Sequence, residues 1–206
     1  MINITKVVCG MNGTNCYIVV DNRKNCVLID CEGDGENFES YFEKESIKPS
    51  YIILTHGHSD HIGAVNYMKN KYNCKVCASE LEKELLENPN LNLSKFMCEI
   101  PISIKADIFL KDNEHFKFGD ISFKIMNTPG HTKGSICLIM KDKIFSGDTL
   151  FEGSCGRVDF PTGDAKEIMK SLENLSKLEG DYEVYPGHGP STTLEYERTY
   201  NPYINS

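Results

Sequence analysis

A chain of 206 residues with 40% apolar and 25% charged side chains is long enough to bury a substantial core and too apolar for disorder. It is expected to form one domain spanning residues 1–206. Its formal net charge of -8 disfavours bulk electrostatic attraction to nucleic acid or to an anionic membrane.

Residues 1–20 lack the basic start, apolar centre and small-residue cleavage site of a secretory signal. No apolar run approaches the roughly 20 residues of a membrane span, so a cytoplasmic protein is expected. The nine cysteines, many of them beside Val, Ile or Leu, read as reduced, buried, small apolar side chains. Cys74 and Cys77 form a C-x-x-C, but no second pair follows at zinc-ribbon spacing.

Three short β-rich runs open the chain, "INITKVV", "NCYIVV" and "NCVLID", separated by Gly and Asn turns. In "GENFESYFEKES", Phe38, Tyr41 and Phe42 form a helical stripe. "YIILT" is a nearly continuous apolar run, as in a strand buried on both faces. "HGHSDH" follows it directly, and Ile62, Val65, Met68 and Tyr72 then predict a helix. The histidine cluster is therefore placed on a strand-to-helix loop. Residues 79–106 read as irregular and partly helical, a lid or an insertion.

A second β-rich stretch holds "ADIFL", "HFKFG", "ISFKIMNT", "SICLIM" and "KIFSGD". Asp164 and Glu167 then make a capping-box pattern ahead of a helix carrying Ile168, Leu172 and Leu175. "YEVYPGHG" reads as strand then loop, and "STTLEYERTY" as a final helix. The order is β-meander, α, β, α, twice over. Two sheets packed face to face with helices outside satisfy it.

The chemistry-bearing residues share one local setting. His56, His58, Asp60 and His61 follow "YIILT", His131 follows "ISFKIMN", Asp148 follows "KIF" and His188 follows "YEVY". Each lies beyond an apolar run and close to Gly or Pro, where backbone can turn sharply. Alternate side chains of an extended segment point the same way, so His56 and His58 can pinch one ion together with His131. Asp60 and His61 come as the chain turns into the helix and suit a second ion with His188. Asp148, with two carboxylate oxygens, can bridge both. Imidazoles with carboxylates suit Zn(II), Fe(II) or Mn(II), and two ions per chain are expected, zinc first. His115 alternates with Phe116 and Phe118 and is expected to face solvent.

"THGHSDH", "TPGHTKGS", "FSGDTLF" and "YPGHG", in this order, resemble the motifs of the metallo-β-lactamase superfamily from about Asn3 to Tyr200. "SGDTLFEGSCGRVDFPTGD" resembles the glyoxalase II-like branch, the hydroxyacylglutathione hydrolases, and especially their short single-domain bacterial relatives. The resemblance implies an αββα sandwich of two mixed β-sheets, a dinuclear site at one sheet edge, and the ligand assignment argued above. It further implies hydrolysis of a small-molecule thioester, such as S-lactoylglutathione or another acyl-thiol, by a metal-bridging hydroxide. Asp60 and Asp148 are the expected catalytic carboxylates, Asp60 helping to orient the hydroxide.

Arg157 occupies the place of a basic substrate-contacting residue of the family. Larger glyoxalase II enzymes carry a further helical region that grips glutathione. The present sequence ends soon after His188, so another thiol carrier or a broader thioester range is expected. A lactonase and a persulfide dioxygenase of the same fold are the alternatives. β-Lactam hydrolysis, nuclease activity and a non-catalytic scaffold are disfavoured by the complete ligand set and the acidic charge.

Overall fold

The computed structural model describes residues 1–33 and 35–205. The first sheet runs in spatial order through β1 (Asn3–Cys9), β2 (Thr14–Val20), β3 (Cys26–Ile29), β4 (Tyr51–Ile53), β5 (Lys75–Ser79) and β6 (Ile108–Leu110). The β1–β2–β3 pairings are antiparallel and those from β3 to β6 parallel. The second sheet contains β7 (His115–Phe118), β8 (Ile121–Asn127), β9 (Ile136–Met140) and β10 (Lys143–Gly147), then β13 (Glu183–Pro186) and β14 (Thr192–Thr193). Between β10 and β13 lie a small hairpin of β11 (Leu150–Phe151) and β12 (Ser154–Cys155), and a long helix. Among the described residues of this sheet, only β10 and β13 pair in parallel.

Both sheets alternate their apolar side chains between two faces, because successive strand residues point oppositely. On β2, Cys16 and Ile18 face one core while Tyr17 and Val19 face another. On β3, Cys26 and Leu28 part in the same way from Val27 and Ile29. The inner faces of both sheets meet in one core, where Val27, Ile29 and Ile53 pack with Phe123, Leu138 and Phe145. The outer face of the first sheet is covered by α1 (Glu36–Glu45), through Phe38 and Phe42, and by α3 (Val65–Tyr72), through Val65 and Met68. The outer face of the second is covered by α6 (Ala165–Ser176) and α7 (Leu194–Tyr200), through Leu172, Leu175 and Leu194. These layers form the expected αββα sandwich.

The strict alternation also answers the C-x-x-C. Cys74 packs in the outer core and Cys77 in the inner one, on opposite faces of the first sheet. None of the nine cysteines forms a disulfide. His115 is exposed, as its alternation predicts.

Two segments depart from the sequence expectations, and a third does so in part. The helix predicted after the histidine cluster is divided into α2 (Ser59–Ile62) and α3. The backbone N–H of Ala64 donates to the Cys31 carbonyl at 2.9 Å, and Cys31 N–H donates to the His61 carbonyl at 2.9 Å. These bonds to the chain leaving β3 interrupt the helical ladder. In "STTLEYERTY", Thr192 and Thr193 belong to β14, and the Thr193 hydroxyl caps α7 by accepting from Tyr196 N–H. Residues 79–106, expected to be irregular and partly helical and to form a lid or an insertion, are partly helical. They form a 3-10 turn (Glu80–Glu82), α4 (Lys83–Glu87) and α5 (Ser94–Met97). They pack into the fold through Glu82, Leu85, Leu86, Asn92 and Ile104, whereas Phe96, Met97 and Ile100 are exposed. Among the described residues, no helix is long and apolar enough to cross a membrane.

Asp21 ties the two sheets at the end opposite the histidines. Its carboxylate accepts from Arg23 N–H at 2.8 Å, Asn25 N–H at 3.0 Å, the Asn25 amide at 2.8 Å and Asp120 N–H at 2.9 Å. Burial opposes its charge, but these donors outweigh it and hold the carboxyl down at about 2. A depressed folded-state pKa gives stability that is present above the unfolded value and lost as pH falls through about 2. Asp21→Ala is expected to lower stability by about 1–3 kcal/mol at neutral pH. In denaturant titrations that difference should shrink on acidification towards pH 2, and a gap independent of pH would refute the assignment.

Candidate metal centre

Parallel sheets place ligand-binding groups beyond the carboxyl ends of their strands, and the predicted residues gather there. β3 leads into Asp30, β4 into His56 and His58, β10 into Asp148 and β13 into His188. His131 arrives on the β8–β9 loop, and Asp60 and His61 on the first turn of α2. His56, His58 and His131 bring donor atoms within 4.8 Å of one another, as do Asp60, His61 and His188. A third such group, His56, His61 and Asp148, overlaps both. Asp148 sits between them: Oδ1 lies 3.3 Å from His61 Nε2, and Oδ2 lies 3.5 Å from both His131 Nε2 and His188 Nε2. All seven sequence-predicted ligands therefore converge on one end of the sandwich.

The orientation of the rings follows from their outer partners. A carbonyl oxygen only accepts, so His131 Nδ1 donates to the Arg157 carbonyl at 2.8 Å and leaves Nε2 facing inward. His188 Nδ1 donates in the same way to the Asn12 carbonyl at 3.2 Å. His61 Nδ1 donates to Asp30 Oδ2 at 2.9 Å. The Thr55 hydroxyl donates to that same Asp30 oxygen at 2.8 Å and accepts from His56 Nδ1 at 3.2 Å. Each outer bond fixes a tautomer and aims the remaining nitrogen at the cluster.

Close approach is needed to assemble this end. A Cβ added to Gly187 would lie 2.2 Å from Asp148 Oδ1 and 2.8 Å from His61 Cε1, so only glycine fits between β13 and His188.

The residues fit divalent cations by their donor chemistry. Among the described residues, His56 Nε2, His58 Nε2 and Asp148 Oδ1 are buried without a hydrogen-bond partner, which is costly unless something else binds them. His58 Nδ1 and His131 Nε2 face each other at 2.9 Å. Burial, together with the neighbouring imidazoles, holds His56 well below its ordinary value and His58 down at about 3. Burial opposes the charges of Asp60 and Asp148, but His188 and His61 outweigh it and keep both ionised. Burial likewise opposes the charge on His61, and the carboxylates of Asp148 and Asp30 outweigh it and raise that imidazole. Burial opposes the charge on His188 as well, but Asp60 and Asp148 outweigh it and raise that imidazole too. The neutral imidazoles of His56, His58 and His131 and the ionised carboxylates are in the protonation states that metal coordination requires.

The cluster opens into a cavity of about 540 Å³. Its polar side carries His58, Asp60, His131, Asp148 and His188, and its remaining wall includes Leu93, Met97, Phe151, Cys155 and Phe160. Arg157 also lines the cavity. Its guanidinium is exposed, stacks 3.9 Å from the Phe160 ring centroid and forms a two-point pair with Asp159 at 2.7 Å.

Sequence reasoning missed the supporting residues. Asp30 ends the apolar run "CVLI" as Asp148 follows "KIFSG", so its local signal was present. Asn12, whose amide donates to Asp60 Oδ2 at 3.3 Å, lies on a hairpin turn with no signal of its own. Asn15 and Tyr17 hold the His188 loop from β2, both donating to the Pro186 carbonyl, at 2.9 and 2.7 Å.

Two adjoining imidazole and carboxylate clusters at the strand ends of an αββα sandwich define a class of two-metal proteins. The profile of the Metallo-beta-lactamase superfamily matches residues 9–188, and the chain belongs to that superfamily. Among curated proteins it is 34% identical over 197 residues to the hydroxyacylglutathione hydrolase GloC of Haemophilus influenzae, covering 93% of each chain. Among solved structures it resembles BLEG-1, described as a B3 metallo-beta-lactamase, with a TM-score of 0.93 and 33% identity over 99% of this chain and 100% of that one. It also resembles TTHA1623 in a di-iron-bound form, with a TM-score of 0.88 and 33% identity over 97% of this chain and 99% of that one.

A ligand that binds only the folded state stabilises it by mass action. Zn(II) added to chelator-stripped protein at roughly 100 times its Kd is expected to raise stability by about 2.7 kcal/mol per site. Thermal shift would read this directly, and an unchanged melting temperature would count against metal binding at these clusters.

Proposed function

We propose that this superfamily member is a metal-dependent hydrolase of small-molecule thioesters, such as S-lactoylglutathione or another acyl-thiol. In this reading His56, His58 and His131 would hold one divalent ion and Asp60, His61 and His188 a second, with Asp148 available to both. Zinc is the first expectation, with iron or manganese as substitutes; the di-iron form of TTHA1623 gives iron added weight. The observation that carries the reading is Asp148, set between two donor triads at the foot of an open cavity. The identity with the Haemophilus influenzae hydrolase supports the thioester assignment.

Two divalent ions, when bound, supply Lewis acidity towards a carbonyl and a nucleophile drawn from water near neutral pH. The chain's own residues do the rest. Asp60, held by Asn12 and lying 3.4 Å from His188 Nε2, is placed to orient a water molecule. An ordinary thiol titrates at about 8.5, so the leaving thiolate departs without a strong general acid. Leu93, Met97, Phe151 and Phe160 exclude water around the apolar parts of a substrate. Arg157 is available to an anionic thiol carrier by exchanging its partner Asp159.

A second reading, β-lactam hydrolysis, rests on the 33% identity and near-complete overlap with BLEG-1. The sequence motifs alone had set it aside, and this similarity restores it as a competitor. Attack on a strained amide carbonyl draws on the same site, so the fold does not separate the two.

Metal analysis paired with a hydrolysis panel separates them. We expect two ions per chain and turnover of S-lactoylglutathione or other thioesters. Turnover confined to a β-lactam, a lactone or a phosphodiester would reject the thioester assignment. A single iron with oxygen uptake on a persulfide would indicate a dioxygenase instead. Asp148→Ala should reduce hydrolysis to background and weaken metal loading together.

A further inference from the structure

Glu82 is a charged side chain with 1% exposure, brought beneath the metal loops by the 3-10 turn that precedes α4. Burial pushes its carboxyl up, and the groups that oppose this are three N–H and O–H donors with no cation among them. The donors divide cleanly between its two oxygens. Oε2 accepts from Gly57 N–H at 2.8 Å. Oε1 accepts from the Thr132 hydroxyl at 2.7 Å and from Gly134 N–H at 2.8 Å. Gly57 is the residue between His56 and His58, and Thr132 directly follows His131. One carboxylate therefore links the two loops that carry the His56, His58 and His131 triad, with one oxygen assigned to each loop.

The local backbone is built around this contact. A Cβ on Gly134 would fall 2.6 Å from Glu82 N and 2.8 Å from Glu82 Cγ, so a side chain there would push the turn away. An isolated carboxylate is costly to bury, and hydrophobic packing could have joined α4 to the sandwich without one. What the carboxylate adds is a rigid span with two acceptors, which fixes how far apart the two loops stand.

We propose that Glu82 is a positioning residue for the first ion, setting the separation between His56 and His58 on one loop and His131 on the other. This rests on the ligand assignment proposed above. Glutamine at position 82 has the same shape but only one accepting terminus. Its amide nitrogen would face either Gly57 N–H or the Thr132 and Gly134 donors, so one loop loses its hold. Aspartate is one methylene too short to reach both loops.

The test titrates chelator-stripped protein with Zn(II) against a chromophoric chelator, reading both binding steps. Glu82→Gln is expected to weaken one of the two ions by roughly 10–100-fold, the usual effect of removing a group that orients ligands, while the other ion keeps its affinity. The exposed neighbour serves as control, and Glu80→Gln should leave both steps unchanged. If Glu82→Gln lowers the melting temperature yet binds both ions as the parent protein does, or weakens both ions equally, Glu82 is merely structural and the proposal is overturned. If that variant does not fold, Thr132→Val removes one donor and keeps the carboxylate. The same selective weakening, smaller in size, then supports the proposal, and unchanged affinities reject it. Failure of the underlying assignment has its own signature with Glu82 intact: His56→Ala would retain both ions, and the role given to Glu82 would fall with it.

Discussion

Five imidazoles and two carboxylates occupy one end of the sandwich, within a few ångströms of one another, and the rest of the structure is arranged around the cost of that gathering. Neighbouring imidazoles disfavour each other's protonation, and buried polar atoms without partners are expensive. The chain meets this by giving four of the five rings an outward bond to a different part of the fold. His131 reaches the Arg157 carbonyl, His188 the Asn12 carbonyl, His61 the Asp30 carboxylate and His56 the Thr55 hydroxyl. One nitrogen of each is thereby committed, and the other is left to face the centre. The two sheets, the hairpin turn at Asn12 and the loop at Arg157 all take part, so the geometry of the site belongs to the sandwich as a whole.

Around this polar centre the cavity wall is largely apolar, with a single exposed guanidinium at its side. The division matches two different demands. In the proposed hydrolase, the centre would determine which bond is broken, through charge and nucleophile placement. The wall would determine which molecule is held there, through shape and a few polar contacts. Relatives described as a hydroxyacylglutathione hydrolase and as a β-lactamase share the centre's family, and the loops from Leu93 to Met97 and from Phe151 to Phe160 are where substrates would be told apart. The Arg157 backbone meanwhile orients His131, so that loop contributes to the centre as well as to the wall.

The seven candidate ligands were legible because each follows a short apolar run and stands close to a glycine or proline. Strand ends at a sheet edge produce that pattern locally. The helical stripes at Phe38 and Phe42 and at Leu172 and Leu175 were legible for a similar reason, since the period of burial is written along the element. The break between α2 and α3 was not, because the Cys31 bonds that cause it come from a distant strand. Glu82 was equally hidden. An acidic residue among "SELEKELLE" looks like any solvated helical charge, and only packing places it against Gly57 and Gly134. Cys74 and Cys77 show the converse case, a recognisable spacing whose meaning the alternation of a strand removes.

By itself the sequence determined the layered fold, through alternating and helical burial, and the identity of the ligand-type side chains, through their place after apolar runs. Those are properties that neighbours along the chain can encode. Tertiary structure decided which nitrogen of each imidazole faces inward, how the two triads share Asp148, and which buried acids hold the loops. These depend on contacts between residues far apart in sequence, such as His188 with Asn12 or Glu82 with Thr132. Hydrogen bonds are directional and short-ranged, so their partners exist only once the two sheets have closed on one another.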